Sequence, residues 1–268
     1  MANDVRAVAA APAKLVVDHA RKSFRQSSGI ETTAIEDLSF SVEAGEYVAI
    51  VGPTGAGKSV LLDCLLGLKH LDAGQIRIDD LQVENFVRDK KGHITRIFQE
   101  DRLLPWLSAT DNAAFGLQVQ GMPETERRQR AAAWLDAVGL SRFKNALPRE
   151  LSGGMRQRVN IARAFAPNPE LVLLDEAFSA LDDVTASRLR RDFKTLAHSQ
   201  RTTFLIVTHS IDEAIFLANR ILVFGAPARV MAEIVVPPHA WEDRDISDRI
   251  RAEVRSLIAD GANPDGIL

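Results

Sequence analysis

Eight consecutive residues carry the most specific chemistry in the chain: Gly52-Pro53-Thr54-Gly55-Ala56-Gly57-Lys58-Ser59. They fit G-x-x-x-x-G-K-[ST], a loop that cradles phosphates. Its glycines let the backbone curl so that successive N–H groups point inward at phosphate oxygens. A helix opening at the end of the loop adds its positive pole to the same anion. Lys58 is then placed to reach β- and γ-phosphates, and the Ser59 hydroxyl suits Mg²⁺. An ordinary glycine turn capping a helix would share some of these letters. The flanks favour the phosphate loop, since the apolar run YVAIV precedes it and the helical run KSVLLDCLLGL follows.

A bound nucleotide also needs a carboxylate for the metal and a group that positions water. The run Leu171-Val172-Leu173-Leu174-Asp175-Glu176 reads as a buried strand ending in two acids. Asp175 would hold Mg²⁺ through water, and Glu176 would serve as general base or orient the water beside the γ-phosphate. Many strands end in acids at a surface, so the run gains its weight from the phosphate loop. Together the two motifs leave small-molecule kinases, GTPases and helicases open.

The elements that must position these groups are legible as an α/β pattern. Short β-branched runs at 15–20, 38–43, 47–52 and 75–80 make the early part strand-rich. After ITRIFQ (94–99) the pattern turns helical from about 100 to 165, with Pro105, Pro123 and Pro148 separating segments. Strands return at 171–175, 203–207 and 220–225, with helices at 183–198 and 210–218 between them. A helical insertion thus interrupts an α/β core. A strand is expected at 228–236. The tail that follows has Ile246, Ile250, Val254 and Ile258 every fourth residue, a narrow stripe for packing onto the domain's own surface.

One further run decides among the phosphate-loop classes. Leu151-Ser152-Gly153-Gly154-Met155-Arg156-Gln157-Arg158 places a small hydroxyl and two glycines before a helix expected at 155–166. Its amides and dipole suit a second set of phosphate oxygens. The run resembles the signature sequence of the ATP-binding cassette (ABC) family. Three other elements follow the family's order: Gln99 resembles the Q-loop glutamine at the end of a strand, Ser179-Ala180-Leu181-Asp182 the D-loop, and His209 the switch histidine at the γ-phosphate. Neutral imidazole both donates and accepts, which suits that last position. Phe24, after the first strand, resembles the aromatic that stacks on adenine, although a core role would use the same ring.

The resemblance spans roughly residues 14–235. It implies a phosphate-loop NTPase core with a mixed sheet, an antiparallel β subdomain and an inserted α-helical subdomain, between a tail at 1–13 and a helical tail at 237–268. It implies ATP and Mg²⁺ as ligands. Residues 52–59 and Val60 would hold the nucleotide, and Ser59, Gln99 and Asp175 the metal. Glu176, His209 and Gln99 would drive hydrolysis, with Ser152, Gly153, Gly154 and Asp182 facing the nucleotide of a second subunit in a two-fold pair. Val60 stands where the family usually has threonine, Ala177 where proline is frequent, and Asp183-Val184 changes the end of the D-loop; no group required for hydrolysis is lost.

Gln99-Glu100-Asp101-Arg102-Leu103-Leu104-Pro105-Trp106, with Thr110-Asp111-Asn112, is similar to the nitrate, sulfonate and taurine importer ATPases. Leu103, Leu104 and Trp106 fall where that family docks an integral membrane permease; packing inside the helical insertion is the rival use. An importer ATPase at the cytoplasmic face of the inner membrane, serving a solute-binding protein indirectly, is the expectation. An exporter ATPase is its alternative, and a non-transport cassette acting on nucleic acid or ribosomes is a further one. A net charge of −3 gives no basic field for nucleic acid, and no run of about 18 apolar residues is present to span a bilayer.

Overall fold

The computed structural model describes residues 13–25, 31–89, 93–179, 181–198, 200 and 202–262. The expected N-terminal tail up to residue 12, Ala180 of the 179–182 run, and residues 263–268 lie outside the described residues.

Two sheets organise the chain. Strands β1 (Ala13–Arg25), β2 (Glu31–Glu43), β4 (Ala73–Ile78) and β5 (Leu81–Gln82) form a four-stranded antiparallel sheet in the order β2-β1-β4-β5. The second sheet contains β3 (Tyr47–Val51), β6 (Ile94–Ile97), β7 (Leu171–Asp175), β8 (Thr203–Val207), β9 (Arg220–Phe224) and β10 (Val230–Val235), ordered β10-β9-β3-β8-β7-β6. All its pairings are parallel except that of edge strand β10 with β9. The mixed sheet and the antiparallel subdomain are both as expected.

The parallel strands are continuous apolar runs because both of their faces are covered. Alternate side chains go to opposite cores. Val48, Ile50, Leu173, Leu205 and Leu222 pack toward α1 (Lys58–Leu65) and the antiparallel sheet. Ala49, Val51, Leu174, Phe204 and Ile221 pack into the core that the other helices share. These are α3 (Ala109–Val119), α4 (Glu124–Ala137) and α5 (Gly153–Phe165), inserted between β6 and β7, then α6 (Asp183–His198), α7 (Ile211–Leu217) and α8 (Arg244–Ala262). The stripe of α8 does cover the domain's own surface: Ile250 and Val254 are buried in that core.

The structure departs from expectation in several places, among them β4, which runs 73–78 rather than 75–80, and the short strand β5. The first two strands run longer than 15–20 and 38–43, since β1 and β2 keep pairing through polar residues such as Lys22 and Thr33. A short helix, α2 (Val83–Asp89), lies outside the expected elements; Val83 and Phe86 are buried and Val87 packs beside them. Strand β6 stops at Ile97, two residues before Gln99. Helix α5 starts at Gly153 rather than 155, because Ser152 is its N-cap, accepting from Met155 N at 3.3 Å.

Four aromatic rings join α5, α6, β8 and the segment after β7. Phe193 lies 5.8 Å from Phe165, 5.6 Å from Phe178 and 5.5 Å from Phe204, ring centre to ring centre. Phe193→Ala is expected to cost about 3–5 kcal/mol in urea unfolding. A loss near zero would contradict the placement of this ring at the hub.

Candidate active site

The site begins where β3 ends. The loop from Gly52 to Gly57 leads straight into α1, and it is clamped on two sides. Gly57 has φ +79°, and a Cβ there would sit 2.1 Å from the carbonyl oxygen of Ala34 in β2. A Cβ on Gly52 would sit 2.7 Å from the carbonyl oxygen of Phe224 in β9. Only glycine fits either position. No side chain caps α1, so the first-turn amides keep their capacity for an anion. Lys58 folds across the loop, its Nζ donating to Gly52 O at 2.7 Å and Pro53 O at 2.8 Å. Burial lowers the pKa of this ammonium, while Glu176 and Asp175 act in the opposite sense.

Two adjacent strands deliver the other groups. Glu176 follows β7 with φ +50°, a strained value for a side chain with a Cβ. Its conformation is held by its own N–H donating to Val207 O at 2.9 Å and by its carbonyl accepting from Ser179 N at 3.1 Å and Ser179 Oγ at 2.8 Å. His209 follows β8, its Nδ1 3.5 Å from Glu176 Oε2. Phe24, Thr54, Lys58, Ser59, Glu176 and His209 line one cleft of about 630 Å³, with Ala34, Gly55, Ala56, Gly57 and Val60. Phe24 lies within β1 rather than after it, near the strand's end, and is 36% exposed, so it is not a core ring.

The other expected residues are elsewhere. Asp175 is largely buried, and its Oδ2 accepts from Arg96 Nη2. Gln99 lines a neighbouring hollow with Gly153, Arg156 and Gln157. Asp182 caps the start of α6, accepting from Thr185 N at 3.0 Å, and that backbone bond holds its carboxyl below the usual range. Ser152, Gly153 and Gly154 do not line the phosphate-loop cleft of their own chain. Leu103 is 8% exposed and belongs to the core, so the expected outward cluster reduces to half-buried Leu104 and Trp106, which is 71% exposed.

Ser59 and Asp175 offer hydroxyl and carboxylate oxygens, the donors Mg²⁺ prefers when phosphates and water complete its shell. Among the described residues no group of three or more His, Cys, Asp or Glu could hold a metal.

Three residues of consequence were not singled out from sequence. Gln157 is buried and donates to Ala177 O at 2.6 Å and Phe98 O at 3.3 Å, tying α5 to the segments after β7 and β6. Arg96 is a charge inside the strand ITRI, a visible signal. Glu213, in the first turn of α7, is 2% exposed.

The model of the family described as ABC transporter matches residues 35–179, more than half of the chain. The chain belongs to the ABC transporter family. A relative from Rhizobium johnstonii, a taurine import ATP-binding protein, is 41% identical over 81% of this chain and 82% of its own. An uncharacterised ABC transporter ATP-binding protein of Methanocaldococcus jannaschii is 36% identical over 83% of this chain and 81% of its own. Among solved structures, a dimeric ATP-binding cassette bound to ADP and Pi superposes with a TM-score of 0.74 at 30% identity, covering 84% of this ABC chain and 99% of that one.

Burial pushes the Glu213 carboxyl from 4.5 up to about 7, against the opposing pull of Arg190 and Thr208. Between those values the unfolded chain gives up this proton while the folded chain keeps it, so stability falls as pH rises through that window. Glu213→Gln removes the penalty. The variant should gain on wild type from pH 4.5 to about 7, by up to about 3 kcal/mol, in urea unfolding across pH. A difference independent of pH would contradict the burial of this carboxylate.

Proposed function

We propose that this chain is the ATP-hydrolysing subunit of an importer for a small organic anion of the taurine, sulfonate or nitrate type. The observation that carries ATP hydrolysis is the convergence of the phosphate loop, Glu176 and His209 on one cleft from the ends of β3, β7 and β8. The direction of transport and the class of solute are supported by the taurine import relatives.

In this reading Phe24 stacks on adenine, and the loop amides with Lys58 hold the phosphates. Glu176 takes a proton from the attacking water, or orients it, and His209 contacts the γ-phosphate. Ser59 and Asp175 would hold Mg²⁺, which when bound offsets charge on the phosphate oxygens. Gln99 approaches from the neighbouring hollow as the helical insertion closes. Ser152, Gly153, Gly154 and Asp182 meet the nucleotide of a second copy, which supplies the same groups in return. Trp106, with Leu104, presents apolar surface to a permease. Among the described residues no helix is long and apolar enough to cross a membrane. The chain then sits at the cytoplasmic face of the inner membrane through that permease, and receives solute-binding protein signals only through it.

Glu176→Gln should retain ATP binding while turnover falls by about two orders of magnitude or more. The same variant should collect as an ATP-bound dimer in size-exclusion chromatography with light scattering. Hydrolysis near the wild-type rate would remove Glu176 from its role.

A further inference from the structure

Arg96 is the one cation in the ladder of β6, where it pairs in register with Leu173 of β7. Its side chain is 9% exposed. The guanidinium divides between two carboxylates: Nη2 donates to Asp175 Oδ2, and Nη1 donates to Asp63 Oδ1 at 2.9 Å. Asp63 lies on α1, the helix that carries Lys58 and Ser59. The guanidinium carbon also sits 4.7 Å from the ring centre of Phe98, which neighbours Gln99. Arg96 therefore touches the phosphate-loop helix, the end of β7 and the Q-loop segment at once.

Stability alone is a poor reason to keep such a group. A buried ion pair returns little net stability over a packed apolar side chain. Here the cost is larger, because Arg96 Nε is buried with no hydrogen-bond partner among the described residues. What the guanidinium does specifically is fix one oxygen of Asp175 and place a positive charge beside it.

We propose that Arg96 is a positioning residue that orients the Asp175 carboxylate and weakens the site's affinity for Mg²⁺; this rests on Asp175 being the metal carboxylate. By engaging Oδ2, Arg96 fixes the plane of the carboxylate that would hold the metal. Its charge opposes a second cation close by. The arm to Asp63 sets the spacing between Asp175 and Ser59, whose hydroxyl is the other protein donor. A neutral residue at 96 should thus bind metal more tightly yet turn over more slowly, since the opposing charge is gone and the carboxylate loses its orientation.

The test uses the full chain with a non-hydrolysable ATP analogue and Mn²⁺ as probe, read by electron paramagnetic resonance, alongside the Mg²⁺ dependence of ATP hydrolysis. Arg96→Met and the milder Arg96→Gln should lower the half-saturating Mn²⁺ concentration by roughly three- to tenfold, and kcat at saturating Mg²⁺ should also fall. Arg96→Lys, which restores the charge without the fork, should return Mn²⁺ affinity toward wild type and leave kcat low. Asp63→Asn should reduce thermal stability without tightening Mn²⁺. Unchanged or weaker Mn²⁺ binding in folded Arg96→Met or Arg96→Gln would overturn the proposal. Equal tightening in Asp63→Asn would do the same, by showing general loosening. Asp175→Asn separates the two layers: if it binds Mn²⁺ as wild type does, the metal assignment itself fails.

Discussion

Strand β8 pairs in parallel with β3 on one side and β7 on the other, and this register spaces the phosphate loop, Glu176 and His209. Val207 is aligned with Ile50 of β3 and with Asp175 of β7. One or two residues later the chain reaches Gly52, Glu176 and His209. Strands about 4.8 Å apart therefore deliver a phosphate loop, a carboxylate and an imidazole to a single edge. A slip of one residue would turn each apolar strand inside out, so the two cores on either side of the sheet enforce the alignment.

The start of α5 and the segment after β6 are tied to each other. Helix α5 is tied to the segment after β6 by Arg156 Nε donating to Asp101 Oδ2 at 2.8 Å and by Arg163, which donates to Asp101 O and Arg102 O at 2.8 Å each. Gln157 adds its bonds to Phe98 and Ala177. The signature residues, Gln99 and the outward Trp106 are thereby linked through the segment that continues to α3. In the proposed function, motion imposed at Trp106 would reach the start of α5 through these hydrogen bonds. That arrangement suits a subunit in which a membrane partner and a second copy must respond to the same nucleotide.

Much of this was legible in the sequence, for identifiable reasons. The phosphate loop, Asp175, Glu176 and His209 lie in or beside short apolar runs that support one another as motifs, and the structure places three of these four elements in one cleft. Strand ends were misjudged where polar residues continue the pairing, as from Arg21 to Arg25, since no apolar alternation marks them. Leu103 was grouped with Trp106 because neighbours in sequence share composition, not facing: one packs inward and the other stands in solvent. The roles of Arg96, Gln157 and Glu213 depend on partners between 20 and 79 positions away for the first two, and on burial for the third. No local pattern encodes such pairings.

Within one chain, Ser152 to Gly154 are absent from the cleft that holds Lys58, so the decisive question is whether two chains share each site. Mixing two variants answers it: Ser152→Arg, which spoils the surface offered to a partner and removes the cap of α5 but leaves the chain's own phosphate loop intact, and Lys58→Ala, which spoils a chain's own phosphate loop. Each should be nearly inactive alone. In a mixed pair one of the two sites has both halves intact, so an equimolar mixture should regain ATP hydrolysis at up to about a quarter of the wild-type rate. A mixture no more active than its parts, or normal turnover by Ser152→Arg alone, would contradict a site built from two copies.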